Sequence, residues 1–388
     1  MTAGDRLAAL GLERPDYGGR ELGAVLSACL DAIGAGHVVV GRDSANDRER
    51  LGIPAARHVV VVILDGLGFY QLEARSGHAP FLRSISAGHL TAGFPTTTAT
   101  SLSLFGTGYG AGQTGMTGYT ARNPRTGRLA NLISWEGAYD PEEWQPCPSL
   151  LEGAARAGIA VTTLGNHGFE GSGLTHAALR GGRFVATRHL ADRVDIAQNV
   201  AHEPGITYMY WGDIDAAGHK HGWQSDHWVA AVEDADRELR RLAGSLPEGA
   251  VMVVTSDHGM VDVDGQPRWD VAGDAILARD VDLVAGEPRA LHLYVDPASI
   301  DAVTERWSEH LGDHAVVMTR GEAEDLGLFG PVSEQATSRL GNIIVAMAQR
   351  AIVVDSRTQT PHSLNLIGMH GSLTPAELTV PLLIAGRA

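Results

Sequence analysis

Val59 to Leu64 form an unbroken apolar run that ends in Asp65 and Gly66, within the stretch HVVVVILDGLG. Alternating polarity marks a strand with one wet face. An unbroken β-branched run instead marks a strand buried on both faces, as inside a parallel sheet covered by helices. Two further stretches behave alike: ITYMYWGDIDAAGH from Ile206 and AVMVVTSDHGM from Ala250. Each passes from apolar residues into Asp, Gly and His. Between them, SLLEGAARAG and WVAAVEDADRELRRLAGSL carry apolar residues at helical spacing. This alternation predicts an α/β fold, a central mostly parallel sheet with helices on both faces. Ligands of such sheets bind at the carboxyl ends of the strands. Here three strand ends carry carboxylates.

With 388 residues, the chain is long enough for one large domain or a core domain with an insertion. A helix is expected near Leu22 to Ile33. From about Val261 to Ile352 the pattern changes: RALHLYVD and HAVVMT read as short strands around the helix IDAVTERWSEHL. The expected organisation is a single catalytic domain over 1–388, with residues 261–352 as a small inserted α/β cap. NLIGMHGSLTPAELTVPLLIAG then returns to a histidine beside glycine and an apolar strand-like run.

Thirty Lys and Arg stand against 46 Asp and Glu, a formal net charge of -16. That balance excludes a nucleic-acid polymer as a partner, because such binding needs a basic footprint. It remains compatible with a small anionic substrate, since bound cations invert the local field. Cys29 and Cys147 are too few for a disulfide framework and are expected as unpaired buried thiols. The start MTAGDRLAALGLERPDYGG lacks the basic-then-apolar plan of a signal peptide, and no apolar run is long enough to span a membrane. The expected location is the cytoplasm, with no membrane partner; no feature specifies an oligomeric state.

The strand-end residues Asp65, Asp215, His219, Asp257, His258 and His370 form one chemical set. Three carboxylates and three imidazoles suit one or two zinc-like ions. Asp215 and His219 stand four apart, so one helical turn puts both on a single face. Asp257 and His258 are adjacent, so they share an ion only at an irregular strand end, which Gly259 allows. Asp213 and His362 are rivals, but Asp213 lacks the D-x-x-G-H spacing and His362 lacks a following glycine. A hydroxyl to activate lies in GFPTTTATS, where Thr96, Thr97, Thr98, Thr100 and Ser101 are all candidates. Most of them are expected to serve as helix caps.

VVVVILDGLG, FPTTTATSLSLFGTG, DIDAAGHKHG, TSDHGM and GMHGSLTPAELTVPLL, in this order, resemble the alkaline phosphatase superfamily, most closely its type I phosphodiesterase and nucleotide pyrophosphatase family. The resemblance runs from about residue 57 to the C-terminus. It implies an alkaline phosphatase-like fold and a phosphoric ester hydrolase with two divalent metal ions, Zn2+ foremost and Mn2+ second. It also implies that Thr98 is the nucleophile, passing through a phospho-threonine intermediate. One ion is then held by Asp65, Thr98, Asp257 and His258, the other by Asp215, His219 and His370. The partner is a small anionic phosphate ester.

The chain departs from the family pattern at two positions. Many nucleotide-cleaving members carry an aromatic residue after the nucleophile, where this chain has Ala99. Three positions after it they carry an Asn that touches the phosphoryl oxygen, where this chain has Ser101, a hydroxyl that still donates one hydrogen bond and is the expected substrate-binding residue. A stacking ring must then come from Phe69, Tyr70, Tyr109 or Tyr119, and Asn166 and His167 are candidates for the pocket wall. Lys220 is the one basic residue within the matched motifs, which favours diesters over monoesters. A phosphomonoesterase, a phosphonate hydrolase and a phosphoglycerate mutase-like transferase are the alternatives. A sulfatase needs Cys or Ser at the nucleophile position, and a binding protein that has lost activity usually loses ligands, all of which are present here.

Overall fold

The computed structural model describes residues 2–386. Its central sheet uses seven strands: β1 (His58–Leu64), β2 (Ser86–Thr91), β3 (Val161–Gly165), β4 (Arg183–Ala186), β5 (Gly205–Trp211), β6 (Ala250–Thr255) and a C-terminal strand, Thr379–Gly386. From one edge the order is β2, the C-terminal strand, β6, β1, β5, β3, β4. The five strands from β6 to β4 run parallel. The C-terminal strand is antiparallel to both β6 and β2, so the sheet is mixed at that edge.

β1 occupies the middle for the reason its sequence gives. All seven of its residues are buried. Val59, Val61 and Ile63 pack into one core with Val25, Leu26 and Phe105. Val60, Val62 and Leu64 pack into another with Trp228, Val232 and Leu239. Burying one such side chain is worth about 1.5–3 kcal/mol. Wetting either face of β1 would therefore forfeit roughly 5–9 kcal/mol, comparable to the net stability of a whole domain. The helices α1 (Gly23–Ala32) and α2 (Thr98–Thr107) cover the first face, and the amphipathic Asp226–Ser245 covers the second.

A second, four-stranded antiparallel sheet is built from Leu283–Glu287, Ala290–Tyr294, Ala315–Thr319 and Ile343–Met347, with the helix Ile300–Leu311 on it. It is narrower than the stretch 261–352. Val261–Asp262 pairs with Gly368–Met369, and Arg268–Asp270 pairs with Ile352–Val354. One face holds Leu291, Leu293, Trp307 and Val345. The other, with Val316, Met318 and Ile344, packs on Phe94, Phe329 and Leu373. The chain segments before Thr98 and after His370 therefore rest on this second sheet.

Cys29 and Cys147 are both free thiols, Cys29 buried and Cys147 half-buried. Among the described residues no helix is long and apolar enough to cross a membrane.

Candidate active site and metal centre

Every strand-end residue of the set named above sits at the carboxyl edge of the central sheet. Asp65 follows β1 directly, and Asp257 and His258 follow the end of β6 at Thr255. Asp215 and His219 lie on α3 (Asp213–His221), which starts just after β5. Their spacing does what a helical turn requires: His219 Nε2 is 3.3 Å from Asp215 Oδ2. His370 arrives on the loop between Gly368–Met369 and the C-terminal strand. Gly66 shows how tight the assembly is. A Cβ there would stand 2.8 Å from Asp215 Cβ, and its φ of +74° suits glycine.

Distances among the functional atoms are short. His258 Nε2 lies 3.4 Å from Asp65 Oδ1 and 3.5 Å from Asp257 Oδ2. His370 Nε2 is 3.3 Å from His219 Nε2, and the His258 and His370 rings stack at 3.6 Å. Ligand atoms of Asp215, His219 and His370 form one compact group, and those of Asp65, Asp215 and His258 another. Asp215 thus stands between the two groups. Asp257 reaches the second group through His258, while its Oδ1 accepts the N–H of Gly66 and of His258.

The three imidazoles are oriented alike. Nδ1 of His219 bonds to the Gly368 carbonyl at 2.7 Å, Nδ1 of His258 to Gly259 at 3.0 Å, and Nδ1 of His370 to Thr96 at 2.8 Å. A carbonyl only accepts, so each Nδ1 carries the proton and each Nε2 presents a lone pair to the centre. Burial holds His258 down to about 3 and, with the neighbouring His258 and His219, holds His370 well below the usual range. Both rings are neutral, the form that ligates a metal.

The carboxylates tell the same story with the opposite sign. Burial, then the charges of Asp257 and Asp215, raises the Asp65 carboxyl well above its ordinary range. Burial raises Asp215 to about 6 against the pull of His219, and burial raises Asp257. Asp65 Oδ1, Asp215 Oδ1 and Asp257 Oδ2 are buried with no hydrogen-bond partner among the described residues. Three crowded carboxylates, each with an orphan oxygen, beside three imidazole lone pairs, are a donor set for cations. The residues fit a divalent-metal centre.

The hydroxyl-rich stretch does not behave as a set of caps. Thr97 occupies the N-cap of α2 yet makes no side-chain capping bond. Thr96 Oγ1 donates to the Ser372 carbonyl and accepts the Gly371 N–H, and Thr100 Oγ1 donates to the Met116 carbonyl. These hydroxyls tie loops together, because the loop beyond His370 lies against the helix start and supplies better-placed partners. Thr98 is the first residue of α2, with Oγ1 3.3 Å from His258 Nε2. Ser101, one turn further, is fully buried with its hydroxyl unpartnered.

Other candidates fall elsewhere. Asp213 is exposed at the start of α3. His362 is on the wall of a cavity that opens beside His219 and His370. Of the four rings named above, Tyr119 lines that cavity, whereas Tyr109 Oη donates to the Val40 carbonyl. Asn166 is exposed, with its carbonyl oxygen taken by buried Arg193.

Two functional neighbours were not visible in the sequence. Tyr210 Oη donates to Asp65 Oδ2 from within β5. Glu377 binds the Ser372 N–H at 3.0 Å and so fixes the turn after His370. Tyr210 gives no signal inside an apolar run, although its position one residue before the strand end hints at it.

The mostly parallel α/β sheet gathers three carboxylates and three imidazoles along its carboxyl edge, the donor set of a divalent-metal site. The chain belongs to the type I phosphodiesterase / nucleotide pyrophosphatase family, whose model matches residues 59–373. Its fold is similar to that of murine ectonucleotide pyrophosphatase / phosphodiesterase 5, with a TM-score of 0.67 and 19% identity over 85% of this chain and 88% of that one. It is also similar to phosphonoacetate hydrolase from Sinorhizobium meliloti 1021 in complex with phosphonoacetate, with a TM-score of 0.62 and 20% identity over 85% and 90%. A phosphopentomutase of Anaeromyxobacter dehalogenans is 28% identical over 134 residues, 32% of each protein. The chain thus matches about a third of the length of that curated relative. Family and fold together support a phosphoester hydrolase of the phosphodiesterase/pyrophosphatase type.

Proposed function

We propose that the protein is a two-metal phosphodiesterase in which Thr98 is the nucleophile. The observation that carries this reading is the 3.3 Å separation of Thr98 Oγ1 from His258 Nε2, which sets one hydroxyl of the stretch against the ligand cluster. Asp65, Asp257, His258 and Thr98 would hold one divalent ion, and Asp215, His219 and His370 the other. When bound, such ions lower the pKa of a coordinated hydroxyl and offset the charge that builds on phosphoryl oxygens.

The chain's own residues account for the rest. The start of α2 has no side-chain cap, so its first N–H groups are free to receive phosphoryl oxygens at the positive end of the helix. Thr98 Oγ1 attacks phosphorus, the bond to the leaving oxygen breaks, and the hydroxyl proton departs with the alcohol. Water then cleaves the phospho-threonine, giving a phosphate monoester and restoring the hydroxyl. The three carbonyls that fix the imidazole tautomers keep the ligands oriented throughout.

Diester preference rests on the cavity beside His219 and His370. Among the described residues no Lys or Arg lines it, so a monoester's extra charge finds no side-chain partner. Purified protein assayed on aryl phosphodiesters and aryl phosphomonoesters, with metal analysis, tests the reading. Diester turnover should exceed monoester turnover by at least about a hundredfold, or about 2.7 kcal/mol in transition-state stabilisation. Faster monoester turnover would overturn the diester reading.

A further inference from the structure

The same cavity carries a charge pattern that the hydrolytic chemistry does not use. Its volume is about 690 Å3, and its walls include the hairpin Thr120–Arg122/Leu129–Asn131 and the tight turn after Leu283–Glu287. Glu136, Glu287 and Asp355 line it. Asp355 is already paired with Arg357, whose Nη2 lies 2.6 Å from its Oδ2. Glu136 is exposed and makes no ion pair among the described residues. Glu287 is only 6% exposed. Its Oε2 accepts the Tyr119 N–H at 2.7 Å, and its Oε1 has no partner. The ring of Tyr119, 42% exposed, belongs to the same cavity.

We propose that this cavity receives the second organic substituent of the phosphodiester, that this substituent carries an ammonium cation, and that Glu287 is the specificity-determining residue. The proposal rests on the phosphodiesterase reading. Two carboxyls free of basic partners, beside an accessible aromatic ring, are the chemistry that holds an organic cation. A carboxylate-bearing substituent finds no Lys or Arg among the described residues that line the cavity. Burial, against the Tyr119 N–H and with the Glu377 charge adding to it, raises the Glu287 carboxyl to about 8. That is the response of a buried acid that lacks a counter-charge, and a cation in the cavity supplies one.

Three p-nitrophenyl phosphodiesters that differ only in the second substituent test this: aminoethyl, its neutral isostere propyl, and carboxymethyl. The aminoethyl ester should exceed the propyl ester in kcat/KM by about tenfold, with the carboxymethyl ester the poorest. Glu287→Gln, which keeps an acceptor for the Tyr119 N–H, should shrink the aminoethyl advantage to about threefold or less. Glu136→Gln, at an exposed position where folding is not at stake, should shrink it by a smaller factor. Equal turnover of the aminoethyl and propyl esters, or preference for carboxymethyl, would overturn the proposal. Calorimetric binding of the three esters to the metal-loaded Thr98→Ala protein keeps this separate from the hydrolytic reading. The same ranking in binding without turnover in the native protein refutes the hydrolase and upholds the cation site; loss of the ranking in binding refutes the site.

Discussion

Arg289 and Glu377 form an ion pair from which solvent is fully excluded, with Arg289 Nη2 2.7 Å from Glu377 Oε2 and both side chains 0% exposed. Arg289 also donates to the carbonyls of Ala351 and Gln349, and Glu377 also accepts from the Ser372 N–H. The pair joins the second sheet to the turn that follows His370. Replacing Arg289 by Met leaves a buried, uncompensated carboxylate and should cost about 3–5 kcal/mol. The partner change Glu377→Gln in the same chain should recover part of it. Denaturant unfolding of the single and double variants checks this, and additive losses would show that the pair is not a coupled unit.

Removing metal should change the sign of a mutation's effect. In metal-free protein Asp215 lies partly buried among the carboxylates of Asp65 and Asp257, so Asp215→Asn should stabilise the chelator-treated protein by about 1–2 kcal/mol and raise its unfolding midpoint. In metal-loaded protein the same variant should be the less stable one, because it loses ligation. Thermal unfolding with and without chelator reads both. A variant destabilised equally under the two conditions would mean that the carboxylates are not held together for a cation.

Tyr210 should act through Asp65. By donating to Oδ2 it leaves Oδ1 as the free ligand atom. Tyr210→Phe removes one hydroxyl from a buried strand and should weaken metal retention about 10- to 100-fold, the usual effect of losing a ligand's hydrogen-bond partner. Competition with a chromophoric chelator measures this directly. Unchanged retention would assign Tyr210 to packing alone.

Glu287 gives a dependence on pH with a definite sign. Its carboxyl is raised from 4.5 to about 8 by burial, so between those values the folded state binds a proton that the unfolded state has lost. Its contribution is therefore complete at low pH and is lost as pH rises towards about 8. Stability measured by urea unfolding should fall more steeply from about pH 5 to about pH 8 in the native chain than in Glu287→Gln. Parallel curves would show that Glu287 is ionised in the fold.

The strands and their terminal Asp and His residues were legible because each motif is local: an apolar run, then Asp, then glycine. Asp215 and His219 were legible as a pair because a helix fixes what four residues of separation means. Residues acting across long separations carried no such signal. Glu287 meets Tyr119 across 168 residues, and Thr96 meets Ser372 across most of the chain. The caps expected in the hydroxyl-rich stretch failed at Thr96 and Thr100 for the same reason, since loops elsewhere in the chain supplied other partners. β3 and β4, short and flanked by polar loops, did not stand out from their surroundings, and the antiparallel C-terminal strand is a matter of topology that its apolar run does not encode.

Thr98→Ala and Thr97→Ala, compared in one assay on an aryl phosphodiester with metal content measured on the same samples, decide which hydroxyl is the nucleophile. Thr98→Ala should lose turnover by at least about a thousandfold while retaining close to two ions per chain, because the remaining ligands are intact. Thr97→Ala should keep most of its activity. Turnover that survives in Thr98→Ala, or that disappears instead in Thr97→Ala, would contradict the assignment of Thr98 as the nucleophile.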